Sequence, residues 1–201
     1  MLNDRSTKTN TREKILQAAF DVLSQQGYEN TSIKDIAEHA GVAQGLVHYY
    51  FKSKQQLVLE VLAFVCDKVE IGTAGEAGAL QAFEQTKAML RDPASREANA
   101  LYVQLIGVGL HDHAIGAGIR EFITTERTHI TDLAEQVFRE RDQDPRPAKG
   151  IASVVWAAVL GIMIQGLVDP QFDTDEAVDT LAAMSLSAVF PSAPTRAAQE
   201  A

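Results

Sequence analysis

Between residues 31 and 54 the sequence gathers side chains suited to hydrogen bonding on an outer surface. Gln44 carries an amide that can pair bidentately with an adenine edge, and His48 and Tyr49 carry donors for bases or phosphate oxygens. Gly45 falls inside a helical pattern, where glycine costs ~1 kcal/mol relative to alanine. Close approach of another helix or of a nucleic-acid backbone would explain it. Tyr49 and Tyr50 form an exposed aromatic pair that is costly without something to cover it. Lys54 lies in the first turn of a helix, where the macrodipole disfavours a cation. An anion at that helix start would take both the free N–H groups and the lysine, and phosphate is the natural candidate.

These residues need helices to hold them. Val, Ile and Thr form no bounded runs of period two, and no hairpin signal appears, so the chain reads as all-α. Asn10 with Glu13 fits a capping pair and starts a first helix. Ile15, Leu16, Ala19, Phe20 and Leu23 mark its buried face, and Gly27 ends it. Thr31 and Ser32 are N-cap candidates for a second helix, and Ser32 with Asp35 fits a capping box. Ile33, Ile36, Ala37 and Ala40 form its apolar stripe, and Gly41 stops it. A third helix runs from about Ala43 to Phe51 with Val47 and Phe51 on one side, which turns Gln44, His48 and Tyr49 outward. Ser53 with Gln56 starts the fourth. Helix, short glycine turn, helix over residues 32–51 is the spacing of a helix-turn-helix, whose second helix enters the major groove. Two ordinary packed helices would share that spacing.

The run from Thr31 to Leu57, TSIKDIAEHAGVAQGLVHYYFKSKQQL, resembles the DNA-binding segment of the TetR family of transcriptional regulators, and Thr11 to Gly27 resembles its first helix. The resemblance implies a three-helix DNA-binding domain in front of a helical bundle, about nine helices in all. It implies phosphate contacts from Thr31 and Ser32 at the start of helix 2. It places Gln44, Gly45, Leu46, His48 and Tyr49 on the base-facing stretch, Tyr50 and Lys54 on phosphates, and Ala43 among the DNA-binding positions. Ala43 departs from the Ser common at that position and cannot cap; losing such a cap typically costs ~1 kcal/mol. His48 stands where Tyr is frequent. Arg5, Lys8 and Arg12 could add backbone or minor-groove contacts, although the first eight residues also read as a solvated tail.

The chain has 201 residues and a formal net charge of −9, which at first argues against a nucleic-acid partner. The charge is unevenly spread. Residues 1–56 hold seven Lys or Arg and six Asp or Glu, a net of +1, so the remainder carries −10. An acidic remainder would repel DNA and confine binding to the face that bears the motif. Apolar residues at 46% argue against wholesale disorder, and a single cysteine excludes a disulfide framework. Cys66 reads as a small buried hydrophobe. No secretory signal is apparent, so a cytoplasmic location is expected.

Beyond the fourth helix, helical segments read at roughly 79–91, 96–110, 116–142, 148–168 and 174–190. Glycines at 72, 75 and 78, Asp92-Pro93, the stretch from Gly107 to Gly118, Pro145 to Pro147 and Asp169-Pro170 separate them. The expected division is a DNA-binding domain over 1–56, ordered from about 9, an effector and dimer domain over 57–190, and a disordered tail over 191–201. Gly150 to Val168 is apolar but for Ser153 and Gln165. By length it could cross a membrane. A helix apolar all round is more simply buried on every side, which here needs a partner. The resemblance implies a homodimer through helices 148–168 and 174–190, reading a near-palindromic operator. It also implies a small-molecule pocket, for which Tyr102, Leu105, Phe122, Trp156 and Met163 are candidates; each also reads as plain core.

Catalytic signatures are missing: no phosphate-binding glycine loop, no Gly-x-Ser-x-Gly, no His-Glu-x-x-His. His111 and His113 lack a convergent third ligand. No enzyme activity, cofactor or metal is expected. The expected function is a TetR-like transcriptional regulator, a repressor released from DNA by a small molecule. The alternatives are a DNA-binding protein without an effector and an all-α enzyme or carrier.

Overall fold

The computed structural model describes residues 2–66 and 75–189, and every regular element among them is an α-helix. In chain order these are α1 (Leu2–Asn30), α2 (Ile33–Ala40), α3 (Gln44–Tyr50), α4 (Lys54–Cys66), α5 (Gly75–Arg91), α6 (Pro93–Gly109), α7 (His113–Glu140), α8 (Ala148–Val168) and α9 (Thr174–Val189). The expected 191–201 tail, and the side chains of Arg5, Lys8 and Cys66, lie outside the described residues.

The helices fall into two compact units. The first holds α1 to α4, α6 and the start of α7 to Phe122; the second holds α5, α7 from Ile123, α8 and α9. These units do not follow the expected division at 56/57. Leu57, Val58, Val61 and Leu62 of α4 are buried, and α4 packs on α1 and α6. The first unit's core also takes Ile15, Leu16, Ala19 and Leu23 of α1, Ile36 of α2, Val47, Phe51, Leu101 and Leu105. In the second unit, Val155, Val159 and Ile162 of α8 meet Val178 and Leu181 of α9, with Phe83, Ile130 and Trp156 packed against them.

Two expected boundaries are corrected. Helix α1 does not begin at Asn10 but runs back to Leu2. No Gly or Pro precedes Gly27, so nothing in residues 2–9 breaks the helix and Asn10 is an interior position. The stretch from Gly107 to Gly118 does separate two helices, but the break is confined to residues 110–112, because α6 runs to Gly109 and α7 starts at His113 rather than near 116. Gly109, Gly116 and Gly118 serve close packing. A Cβ on Gly116 would lie 2.4 Å from the Gly109 carbonyl oxygen, and one on Gly118 would lie 2.3 Å from Leu59 Cδ2.

Candidate nucleic-acid interface

The first unit builds its helix-turn-helix from local bonds. Ser32 caps α2: its hydroxyl accepts from the Asp35 N–H, and the Asp35 carboxylate accepts from the Ser32 N–H at 2.9 Å. The Ser32 hydroxyl also donates to that carboxylate at 2.6 Å. These bonds hold the Asp35 carboxyl below its ordinary value, the hydroxyl contributing most. At the other end Gly41 is left-handed (φ 62°, ψ 39°), and its N–H reaches the Ala37 and Glu38 carbonyls. The turn then delivers α3. Ala43 stands at its N-cap with no side-chain bond, as its residue type predicts.

Helix α3 is anchored by one face. Val47 and Phe51 are both 0% exposed, and the Arg12 guanidinium lies 5.5 Å from the Phe51 ring centroid. Ala43, Gln44, Gly45, His48 and Tyr49 are exposed, while Leu46 and Tyr50 are half-buried. Tyr49 is 66% exposed and meets Tyr50 edge to face at 5.1 Å. Nothing lies within 4 Å of a Cβ placed on Gly45. Close packing within this chain therefore does not explain that glycine.

Thr31 and Lys54 sit differently from Gln44 and His48. At Gly27 the backbone leaves the helical region (φ 76°, ψ 170°), a conformation essentially restricted to glycine. Three carbonyls near that kink accept from side chains. Asn30 donates to Gln26 at 3.1 Å, Thr31 to Gly27 at 2.8 Å, and the Lys54 ammonium to Tyr28. Thr31 is buried, and its hydroxyl proton is spent on this bond. Lys54 Nζ also lies 4.1 Å from the Tyr28 ring centroid. Its pKa is lowered, chiefly because burial disfavours the charge, with Glu29 acting the other way. A cation among the last carbonyls of α1 is favourable, which offsets its unfavourable place at the start of α4.

Helix α4 is tied down on both sides. Gln56 N–H donates to the Ser53 hydroxyl at 3.1 Å, the cap expected from sequence. The return bond lands one residue early: the Gln56 side chain accepts from the Lys52 N–H at 2.9 Å. Glu60 accepts from Gln56 at 3.0 Å and pairs with Arg12 of α1, so Arg12 is engaged within the protein. Sequence reading missed Tyr28 and Asp112. The Asp112 carboxylate caps α7 through the Ala114 and Ile115 N–H groups at 2.9 and 3.0 Å. Its other oxygen faces the Tyr28 hydroxyl at 3.4 Å and the Gln55 amide at 3.5 Å. An Asp three residues before Ile115 is a cap signal, hidden from the sequence by starting that helix at about residue 116.

The five candidate ligand-lining residues divide between the units. In the first, Tyr102 and Leu105 are buried, and Tyr102 meets Phe122 edge to face at 5.1 Å. In the second, Trp156 packs against the α8–α9 cluster and Met163 is buried on α8.

Residues 15–61 match the family model described as bacterial regulatory proteins, tetR family. This N-terminal segment is similar to that family. The match covers α2, α3 and their supports on α1 and α4, so the capped turn and exposed α3 face lie within the segment similar to that family. An uncharacterised HTH-type transcriptional regulator of Bacillus subtilis, YvdT, is 52% identical over 46 residues, 23% of this chain and 24% of its own length. The HTH-type transcriptional repressor KstR2 of Mycolicibacterium smegmatis is 39% identical over 57 residues, 28% of each chain. The matches thus span about a quarter of these relatives' length. Similarity of fold extends further. A transcriptional regulator from Saccharomonospora viridis, solved in complex with choline, superposes with a TM-score of 0.69 at 22% identity, covering 88% of this chain and 95% of that one.

Proposed function

We propose that this protein is a homodimeric, cytoplasmic transcriptional regulator that represses from a near-palindromic operator and is released by a small molecule. The observation that carries this reading is α3 itself, buried through Val47 and Phe51 and exposing Gln44, Gly45, His48 and Tyr49. Those residues, with Ala43 and Leu46, face the bases. The open space around Gly45 leaves room for a DNA backbone. Ser32 and Tyr50 meet phosphates. Thr31 and Lys54 join them where DNA draws their hydrogens from the α1 carbonyls.

The partner surface is on α8 and α9. Val154, Val168 and Met184 are 68%, 78% and 64% exposed, a large apolar exposure on the second unit. A second copy covers it, which pairs two recognition helices for two half-sites. Ala148–Val168 is the described helix long and apolar enough to cross a membrane, and its packing on α9 supports the dimer instead. Trp156 and Met163 are the proposed ligand-lining residues of the second unit, and Tyr102, Leu105 and Phe122 are candidates within the first. Ligand binding shifts the population toward a dimer whose recognition helices no longer match the half-sites. Helix α4 transmits that shift, since it bears both Lys54 and the Gln55 that faces Asp112.

Genomic footprinting of the full chain tests the reading by returning a palindrome. Gln44→Ala should then weaken specific binding by roughly 5- to 150-fold per half-site while sparing non-specific binding. Lys54→Ala should weaken both and flatten the salt dependence. Equal loss of specificity from the two substitutions would refute the roles assigned. A chain that binds no DNA at low salt would remove the reading altogether.

A further inference from the structure

Helix α7 carries an apolar stripe at helical spacing: Ile119, Ile123, Ile130, Ala134 and Val137. Glu126 occupies the one remaining position of that stripe, three residues after Ile123 and four before Ile130. It is half-buried, whereas residues 124, 125, 127, 128 and 129 around it are exposed. Ile130, one turn further on, packs against the α8–α9 cluster, as does Trp156.

A polar side chain on an inward stripe ordinarily has a partner, because burying an unpaired carboxylate is costly. The Asp35 and Asp112 carboxylates accept two or more hydrogen bonds each. Glu126 makes no hydrogen bond and no ion pair among the described residues. Burial raises its pKa, with His129 as the only opposing charge, and His129 is itself exposed. A leucine would complete the stripe without that penalty.

We infer that Glu126 is the anchor for a cationic small molecule in the second unit, one that joins an ammonium group to an apolar body. An ionised carboxylate offers only acceptors and negative charge, so the complement is a cation with N–H or polarised C–H donors. The flanking Ile123 and Ile130 suit an aryl or alkyl body rather than a hydrated metal ion. This inference rests on the proposed ligand-responsive regulator and names the chemistry of its effector.

The test is a charge series on one ring. Benzylammonium, benzyl alcohol and benzoate are titrated into the full chain and followed by calorimetry and by the fluorescence of Trp156, the chain's single tryptophan. Benzylammonium should bind saturably, about tenfold or more tighter than either analogue, the size expected of a charge-assisted hydrogen bond. Glu126→Gln should erase that preference and leave benzyl alcohol binding unchanged. Glu126→Asp, which keeps the charge on a shorter arm, should fall between. Absence of saturable benzylammonium binding, preference for the alcohol or benzoate, or undiminished cation binding by Glu126→Gln would each overturn the inference. Operator binding by the ligand-free chain is measured separately. If it persists while the charge series fails, the inference falls and the regulator reading stands.

Discussion

The helix-turn-helix and the second unit hold themselves together over very different stretches of chain. In the first, Ser32 bonds to Asp35 three residues away, Thr31 to Gly27 four away, and Gly41 to Ala37 and Glu38. In the second, the bonds that fix helix against helix are remote. The Gly75 N–H donates to Gln136 and the Glu76 N–H to Glu140, 61 and 64 residues on. Lys87 reaches Asp179 across 92 residues, and Arg91 grips Asp175 across 84. A recognition element built from local bonds keeps its shape while the helices around it move. A unit built from remote bonds has a shape that depends on everything packed in it, which suits the ligand response proposed above.

The sharpest way to break this contrast is at the start of α5. Gly75 is buried with φ +65°, and a Cβ there would lie 1.8 Å from the Glu140 carboxylate. That carboxylate accepts the Glu76 N–H at the positive end of α5. Gly75→Ala should cost ~1–2 kcal/mol in backbone strain and about 1 more for the displaced bond. A chain of this size should then melt roughly 4–12 °C lower. Gln136→Ala removes only the acceptor for the Gly75 N–H and should cost less. If Gly75→Ala melts like the parent, this remote clasp contributes nothing and the contrast weakens from the side of the second unit.

A smaller effect tests the local side. Ala43 stands at the N-cap of α3 with extended backbone (φ −68°, ψ 139°) and no cap bond. Ala43→Ser should supply one and add ~1 kcal/mol, raising the melting temperature by roughly 2–4 °C. Calorimetry decides the matter. No gain would mean that α3 is held by Val47 and Phe51 alone and that its local signals matter less than those of α2.

The same contrast explains what the sequence made legible. The caps and stops of α2, the inward Val47 and Phe51, and the outward Gln44, His48 and Tyr49 follow from neighbours within one or two turns. Short-range rules also misfired where a local pattern had no local consequence. Asn10 and Glu13 look like a capping pair, but an unbroken helix runs through them. The glycines at 109, 116 and 118 look like breakers, yet they lie within helices and admit close packing. Lys54 was legible as a cation beside a helix N-terminus. Its bond to the Tyr28 carbonyl, 26 residues back, was not. Glu126 passed unnoticed because a lone acid in an otherwise apolar stripe reads as ordinary helix surface until its burial is known.

The two regions should also answer acid with opposite signs. Asp35 is held below its ordinary value, first by the Ser32 hydroxyl and then by the Ser32 N–H. A carboxyl depressed on folding contributes stability above its unfolded value, about 3.9, and loses it as pH falls through the folded value. Glu126 is raised by burial, so its charge destabilises at neutral pH, and that penalty disappears as pH falls through its raised value. At pH 7, Asp35→Asn should therefore melt below the parent and Glu126→Gln above it. Both differences should close as acid protonates the parent side chain and makes it resemble the amide. The Glu126→Gln difference should close first, because its transition is raised from the ordinary glutamate value and that of Asp35 is lowered from the ordinary aspartate value. Thermal melts between pH 7 and pH 3 read this directly. Shifts of the same sign at pH 7, or closure in the reverse order, would mean that the Glu126 carboxylate is effectively in water. The cation site proposed around it would then lose its physical basis.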